Sequence, residues 1–255
     1  MVTAMDTRIP MDGSIEAWIA AIPAHADGIV GRTGLPLVTL SYAQSLDGCI
    51  TARRGQPLAL SGPPSLSLTH RLRAVHGAVL VGIGTVLADD PQLTVRLARG
   101  ANPRPVVLDS RLRFPAAARL LARSENLPWI FCAPDAPGDR SQELARRGAR
   151  LLPTACDDQG RLNLRAVLSR LAQEGIASLM VEGGARVISH FLADGLVDQV
   201  MITTAPLWVG GLHVFDAEWT GLVRLPVLVE PHYSRFGADL VTWGQVGPNE
   251  VGEGE

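Results

Sequence analysis

Between Leu72 and Arg96 the chain sets a cation, two glycines, a hydroxyl, two carboxylates and a second cation around one apolar run. In order these are Arg73, the strand-like Ala78–Val81, Gly82-Ile83-Gly84-Thr85, Asp89-Asp90-Pro91 and Arg96. Glycines directly after a buried strand let backbone N–H groups face an anion, and open α/β sheets bind phosphorylated ligands at such strand ends. A Rossmann fingerprint needs a third glycine where Leu87 stands, so that motif is not met. Taken alone, the four residues suit an ordinary strand-to-helix turn as well as a seat for a cofactor pyrophosphate.

Glu182-Gly183-Gly184-Ala185 repeats the pattern after another apolar run. A dinucleotide, with two phosphates to hold, would use both turns. Glu182 could accept a hydrogen bond from a ligand, or merely favour a helix start as a carboxylate. Asp109-Ser110-Arg111 follows a third run; Ser110 and Arg111 suit the extra phosphate of NADP, and equally a solvated loop. Arg73, Arg96, Asp89 and Asp90 are either surface ion pairs, which are worth little, or a polar pocket floor with two arginines for a substrate phosphate.

Other chemistries find little support. His70 and His76 are six apart, wrong for one helix face, and His213 and His232 have no ligand partner nearby in sequence. No metal site is expected. There is no G-x-S-x-G nucleophile elbow. His25-Ala26-Asp27 matches only faintly one half of a zinc-deaminase signature whose P-C-x-x-C half is absent.

The elements that position these residues alternate. Strands are predicted over Leu37–Ala43, Ala78–Val81, Pro105–Leu108, Pro128–Cys132, Arg150–Leu152, Ser178–Val181 and Gln199–Ala205. Helices are predicted over Leu66–Val75, Arg140–Arg147, Leu162–Glu174 and Ala185–Asp194, with Gly148 and Gly175 as C′ glycines. Before them Ile15, Trp18, Ile19 and Ile22 recur at helical spacing after Ser14, in a helix that Pro23 should limit. Residues 1–34 thus read as a weakly structured extension, packed on the main domain or on a partner subunit. The tail from Arg224 to Val246 reads as two antiparallel strands. Strands alternating with helices predict an α/β fold, a mixed and mainly parallel sheet with helices on both faces.

Composition agrees with one large domain. Of 255 residues 47% are hydrophobic and 19% charged, ample for a packed core and against disorder. The net charge of −2 leaves no basic footprint for nucleic acid, although all 23 cations are arginine. Three cysteines without C-x-x-C spacing read as reduced thiols in a cytosolic protein. Met1 to Asp12 lacks an apolar signal core, and no apolar run nears the roughly 18 residues of a membrane span. A cytoplasmic protein is expected.

From about Val38 to Gly211 the chain closely resembles the pyrimidine reductases of riboflavin biosynthesis. The matching blocks are Ser45-Leu46-Asp47-Gly48, Leu72 to Arg96, Val106 to Ser110 with Leu112 and Pro115, Glu182-Gly183-Gly184, and Gly195 to Asp198, then Pro206 and Gly210-Gly211. The resemblance implies a dihydrofolate reductase-like fold over residues 35–255, NADPH as cofactor and a homodimer. The apolar tail and the Ile15/Trp18/Ile19/Ile22 stripe exceed what one sheet should need and point the same way.

It also implies roles. Ala43, Gly82, Gly84, Thr85, Asp89, Ser110, Arg111, Gly183 and Gly184 fall at the cofactor. Arg73, Leu93, Arg96 and Glu182 fall at the substrate, and Asp89 and Glu182 are the catalytic candidates. Bifunctional bacterial members carry a serine and a tryptophan where Pro57 and Ala59 stand here; Ser61 is the nearest replacement hydroxyl. They also carry a zinc deaminase domain absent from this chain. The expected reaction is reduction of 5-amino-6-(5-phosphoribosylamino)uracil by hydride transfer to C1′ of the ring-opened ribose. Two rivals remain: reduction of the diamino pyrimidinone before deamination, and a paralogue that binds ligand without catalysis.

Overall fold

The computed structural model describes residues 13–215 and 226–248. The Met1–Asp12 start, and Arg224 and Leu225 at the head of the predicted strand pair, lie outside the described residues. In chain order the elements are α1 (Ile15–Thr33), β1 (Leu37–Ser45), β2 (Cys49–Thr51), α2 (Pro63–Val75), β3 (Ala78–Gly82), α3 (Ile83–Asp89) and β4 (Arg104–Leu108). Then follow β5 (Trp129–Cys132), α4 (Gly138–Arg146), β6 (Arg150–Pro153), α5 (Leu164–Gln173), β7 (Ser178–Val181), α6 (Ala185–Ala193), β8 (Gln199–Ala205), β9 (Leu212–His213), β10 (Pro226–Phe236) and β11 (Asp239–Pro248).

A nine-stranded sheet runs in the order β10-β11-β8-β1-β7-β3-β4-β5-β6. From β8 to β6 every neighbouring pair is parallel; β11 joins β8, and β10 joins β11, antiparallel. This is the mixed, mainly parallel α/β sheet that the alternating pattern predicts. Side chains alternate across it. Val79, Val81, Val107 and Ile130 enter one core with residues of α1, α2, α3 and α4. Ala78, Leu80, Val106 and Phe131 enter a second core with α5 and α6. Helices therefore cover both faces, and strands buried on both sides read as continuous apolar runs.

Two expectations for the N-terminal segment are corrected. From residue 13 on it is not weakly structured: Ser14 Oγ accepts the Ala17 N–H at 3.1 Å, and 19 helical residues follow to a left-handed Gly34. Nor does Pro23 limit the helix, which continues through it to Thr33. Ile22 before the proline and Ala26 after it are both buried in the first core, so tertiary packing on both sides outweighs the lost backbone hydrogen bond. The Ile15/Trp18/Ile19/Ile22 stripe is at most 3% exposed within its own chain, so it offers nothing to a partner subunit.

β2 and β9 form a separate two-stranded antiparallel sheet that the apolar pattern did not foretell. A Cβ on Gly211 would stand 2.2 Å from the Thr51 carbonyl oxygen, so only glycine lets these backbones meet. Asp47 ties the same corner. Its carboxylate accepts from Ser45 Oγ at 2.5 Å and from the N–H groups of Val209 and Gly210. These bonds hold its carboxyl well below the usual carboxylate range.

Candidate active site

The chain leaves β3 towards β4 and β5 on one side, and leaves β7 over β1 towards β8 on the other. β3 and β7 are neighbours, so the crevice beyond their carboxyl ends is a topological switch point. Both glycine turns open there. Gly82 N-caps α3 and Gly184 N-caps α6, and neither helix start has a side-chain cap hydrogen bond.

The four glycines have different reasons to be glycine. A Cβ on Gly183 would lie 2.4 Å from Val187 Cβ, and one on Gly82 2.8 Å from Val187 Cγ2. These two are small because α6 packs Val187 against both turns. Gly84 has nothing within 4 Å of that position, and Gly184 meets only Thr85 Oγ1 at 3.8 Å. Gly84 is thus open around its Cβ position, and Thr85 of α3 faces Gly184 at the start of α6; neither helix start is capped by a side chain. That fits the anionic part of a dinucleotide. Half-buried Ala43 lies on β1 at the same edge, paired with Thr203.

Beside the turns, Arg73 and Glu182 form a two-point ion pair. Arg73 Nε donates to Glu182 Oε1 and NH2 to Oε2, each at 2.6 Å, while NH1 donates to the Thr94 carbonyl at 3.1 Å. The side chains are 11% and 14% exposed. Burial opposes the Arg73 charge, and Glu182 more than restores it, so its pKa is raised. The sequence offered Arg73 to a substrate phosphate; the structure commits its planar fork to Glu182 and leaves Arg96 as the freer cation.

Arg96 is exposed, and its NH1 donates to Thr94 Oγ1 at 2.6 Å. Among the described residues it makes no ion pair with Asp89 or Asp90. Burial, then the charges of Arg73 and Arg119, push its pKa down. A cation crowded by other cations is one that an anion would relieve. Arg119 is drawn in by its backbone N–H, which donates to Asp90 Oδ1 at 2.9 Å. Sequence reading missed it; only the Asp90 contact across 29 residues brings it here.

The remaining candidates are placed as follows. Asp89 ends α3, with its carboxyl pKa raised by burial. Leu93 is 3% exposed, has φ 50° and packs in the first core, so only its backbone can serve a ligand. Ser110 and Arg111 follow β4, the neighbour of β3, with Arg111 exposed. Asp109 braces that loop: its Oδ2 accepts the Phe114 N–H at 2.8 Å, and Arg113 lies 3.6 Å from Oδ1. Ser61 stands in the turn before α2 and makes no hydrogen bond among the described residues. Gly62 beside it donates to Asp239 Oδ2, which ties this turn to the β10–β11 ribbon instead. Among the described residues no three His, Cys, Asp or Glu side chains are grouped to hold a metal ion.

Fold and site together define an α/β enzyme with two glycine turns and the Arg73–Glu182 pair at the carboxyl ends of β3 and β7. The chain belongs to the RibD C-terminal domain family, whose model matches residues 36–225. It is 38% identical over 186 residues to the 2,5-diamino-6-ribosylamino-4(3H)-pyrimidinone 5′-phosphate reductase of Archaeoglobus fulgidus, covering 69% of this chain and 83% of that protein. It is 36% identical over 181 residues to the riboflavin biosynthesis protein RibD of Bacillus amyloliquefaciens, covering 71% of this chain and 48% of that one. Among solved structures, Acinetobacter baumannii RibD superposes with a TM-score of 0.74 at 28% identity, over 92% of this chain and 64% of its own. The chain thus spans about half to two thirds of the RibD proteins it matches. No described helix is long and apolar enough to cross a membrane.

Proposed function

We propose that the protein is a riboflavin-pathway oxidoreductase that reduces the ribose of a phosphoribosylamino-pyrimidine to its ribityl form with NADPH. One observation carries this reading: two open glycine turns and the Arg73–Glu182–Arg96 cluster meet at a single switch point in a chain of the RibD C-terminal family. Gly84, Thr85 and Gly184 hold the cofactor's phosphates, and Ser110 with Arg111 receives its 2′-phosphate. When bound, the nicotinamide supplies a hydride for C1′ of the substrate. Arg96, reinforced by the field of Arg119, holds the substrate phosphate, and Glu182, held in place by Arg73, orients the polar part of the substrate. Asp89, the last residue of α3, lies near the nicotinamide end of the cofactor in this reading. The protein contributes positioning and electrostatics around a hydride transfer.

The substrate read from the sequence is 5-amino-6-(5-phosphoribosylamino)uracil. A second reading, the diamino pyrimidinone, is favoured by relatives of which this chain covers most: the proteins of Archaeoglobus fulgidus and Methanothermobacter thermautotrophicus carry that name at 83% and 80% coverage. Steady-state NADPH oxidation with each purified substrate decides between them. Oxidation with neither would leave the non-catalytic, ligand-binding paralogue.

The protein works in the cytoplasm as a homodimer. Support for the dimer rests on the outer ribbon alone, where Val229, Tyr233 and Leu240 of β10 and β11 are 40%, 61% and 46% exposed. A monomer mass by light scattering at micromolar concentration would remove it.

A further inference from the structure

We infer that His70 is a positioning residue for Arg96: its imidazole holds the backbone N–H of Arg96 and so fixes where that cation is presented. The inference rests on reading Arg96 as a ligand of the substrate phosphate.

The segment from Asp90 to Arg96 has no helix or strand of its own. Two non-glycine residues in it, Asp90 and Leu93, lie at φ 38° and 50°. Backbone in such regions persists only where its surroundings over-determine it. Here the restraints come from side chains. The Thr94 carbonyl accepts from Arg73 NH1, the Val95 N–H donates to Asn102 Oδ1 at 2.8 Å, and the Arg96 N–H donates to His70 Nδ1 at 2.9 Å. Three consecutive residues are each held by a side chain, Thr94 also through its hydroxyl, and the last bond fixes the backbone of Arg96 itself.

His70 is built for this. It lies on α2 one turn before Arg73, and the residue is 1% exposed. A backbone N–H can only donate, so Nδ1 must present its lone pair and the ring proton must sit on Nε2. A protonated ring would oppose donor to donor. Burial first, then the charges of Arg73 and Arg96, hold its pKa down to about 4 against the opposite pull of Glu182 and the Thr94 backbone, so the neutral ring prevails at neutral pH. α2 thus sets both ends of the cluster, the Glu182 pair through Arg73 and the phosphate cation through His70.

Two substitutions test this. Asparagine places an amide oxygen near the Nδ1 position, and leucine fills space with no acceptor. His70→Leu should raise KM for the phosphorylated substrate about tenfold, the scale of one lost hydrogen bond. It should change KM for the dephosphorylated substrate and the affinity for NADPH little. His70→Asn should recover most of the loss. Nitrogen-15 shifts of the imidazole should show the Nε2–H form at pH 7, and the Arg96 amide should be protected from hydrogen exchange in the wild type and His70→Asn but not in His70→Leu. Equal losses on both substrates in His70→Leu, no recovery in His70→Asn, or an Nδ1–H ring would each overturn the positioning role. Arg96→Ala separates the two layers. If it loses equally on both substrates, the phosphate reading fails even where the amide stays protected; if it discriminates and His70→Leu does not, the reading stands and the role of His70 fails.

Discussion

Arg73 Nε and NH2 grip the two carboxylate oxygens of Glu182 at 2.6 Å each, 109 residues apart in the chain and beside the carboxyl ends of β3 and β7. Removing one partner of such a buried pair leaves an uncompensated charge, at a cost of about 3–5 kcal/mol. Arg73→Ala should therefore lower stability by that order in urea unfolding. Replacing both, as Arg73→Met with Glu182→Leu, should cost much less in stability while still abolishing reduction. Arg73→Lys should recover only part of the function, since an ammonium cannot make the two-point contact.

The glycines separate packing from binding. Gly183→Ala forces a methyl to within 2.4 Å of Val187 Cβ, which is fixed to the α6 backbone and cannot swing aside. A loss of about 1–3 kcal/mol is expected, and adding Val187→Ala should restore little of it, because alanine keeps the Cβ that stands at 2.4 Å. Gly84→Ala meets open space, so its thermal midpoint should stay near the wild type. Its effect should appear as weaker NADPH binding in a fluorescence titration.

Much of this was legible in the sequence, because strands buried on both faces announce themselves as apolar runs. Ser178–Val181 and Gln199–Ala205 were predicted to the residue. The glycine turns fell where a strand runs into a helix, as their order required. Besides Arg119, three things were not legible. α1 runs through Pro23 because buried side chains on both sides hold it, which no local signal reports. The Gly82 and Gly183 contacts with Val187 look in sequence like ligand-facing glycines. Glu182 and Arg73 looked like separate ligands of the substrate, since nothing in either neighbourhood says that they bind each other. The small β2–β9 sheet had a faint signal: Asp47-Gly48 and Gly210-Gly211 both stand in the family blocks, though nothing in the sequence pairs them.

Beneath the cluster lies a buried chain of polar groups. Gln199 Nε2 donates to Thr39 Oγ1 at 2.7 Å, Thr39 donates on to His76 Nε2 at 2.7 Å, and His76 Nδ1–H donates to the Leu72 carbonyl at 2.7 Å. Burial lowers the His76 pKa to about 4, and His70 is lowered to about 4 as well. Both rings ionise in the unfolded chain at about 6.5. The unfolded state therefore binds more protons between those values, and stability is full above about pH 6.5 and falls as pH drops towards 4. Unfolding free energies from urea titrations at pH 7.5 and 5.0 should differ by about 1–2 kcal/mol for each imidazole. His76→Gln titrates nothing at that place and should lose less between the two pH values. An unchanged difference in that variant would show that His76 does not carry the effect.

Arg111 is exposed beside Ser110 at the end of β4, next to the strand that carries the first glycine turn. A charge-assisted contact to a 2′-phosphate is worth about 1.5–3 kcal/mol. NADPH should bind about ten- to a hundredfold more tightly than NADH, and Arg111→Ala should remove most of that difference by weakening NADPH alone. Equal affinities in the wild type would take the assignment away from this loop.

In the proposed function Arg96 is the ligand of the substrate phosphate. With the Arg73 fork committed to Glu182, Arg96 and Arg119 are the exposed cations here, and burial first, then Arg73 and Arg119, disfavour the Arg96 charge while Glu182 favours it. A phosphate lies far from the reacting C1′, and such remote binding energy can orient the reacting carbon as well as raise affinity. Arg96→Ala should raise KM for the phosphorylated substrate strongly and lower turnover too, by about tenfold or more, the scale of a lost hydrogen bond to a charged group. NADPH affinity should hold, because Gly84, Thr85 and Gly184 are untouched. With dephosphorylated substrate the variant and the wild type should behave alike. Arg119→Ala should give a weaker version of the same pattern, since it acts on the phosphate through its field. If Arg96→Ala instead loses equally on both substrates, its work is to hold Thr94 through the 2.6 Å bond to the hydroxyl, and the phosphate must be sought elsewhere on this edge.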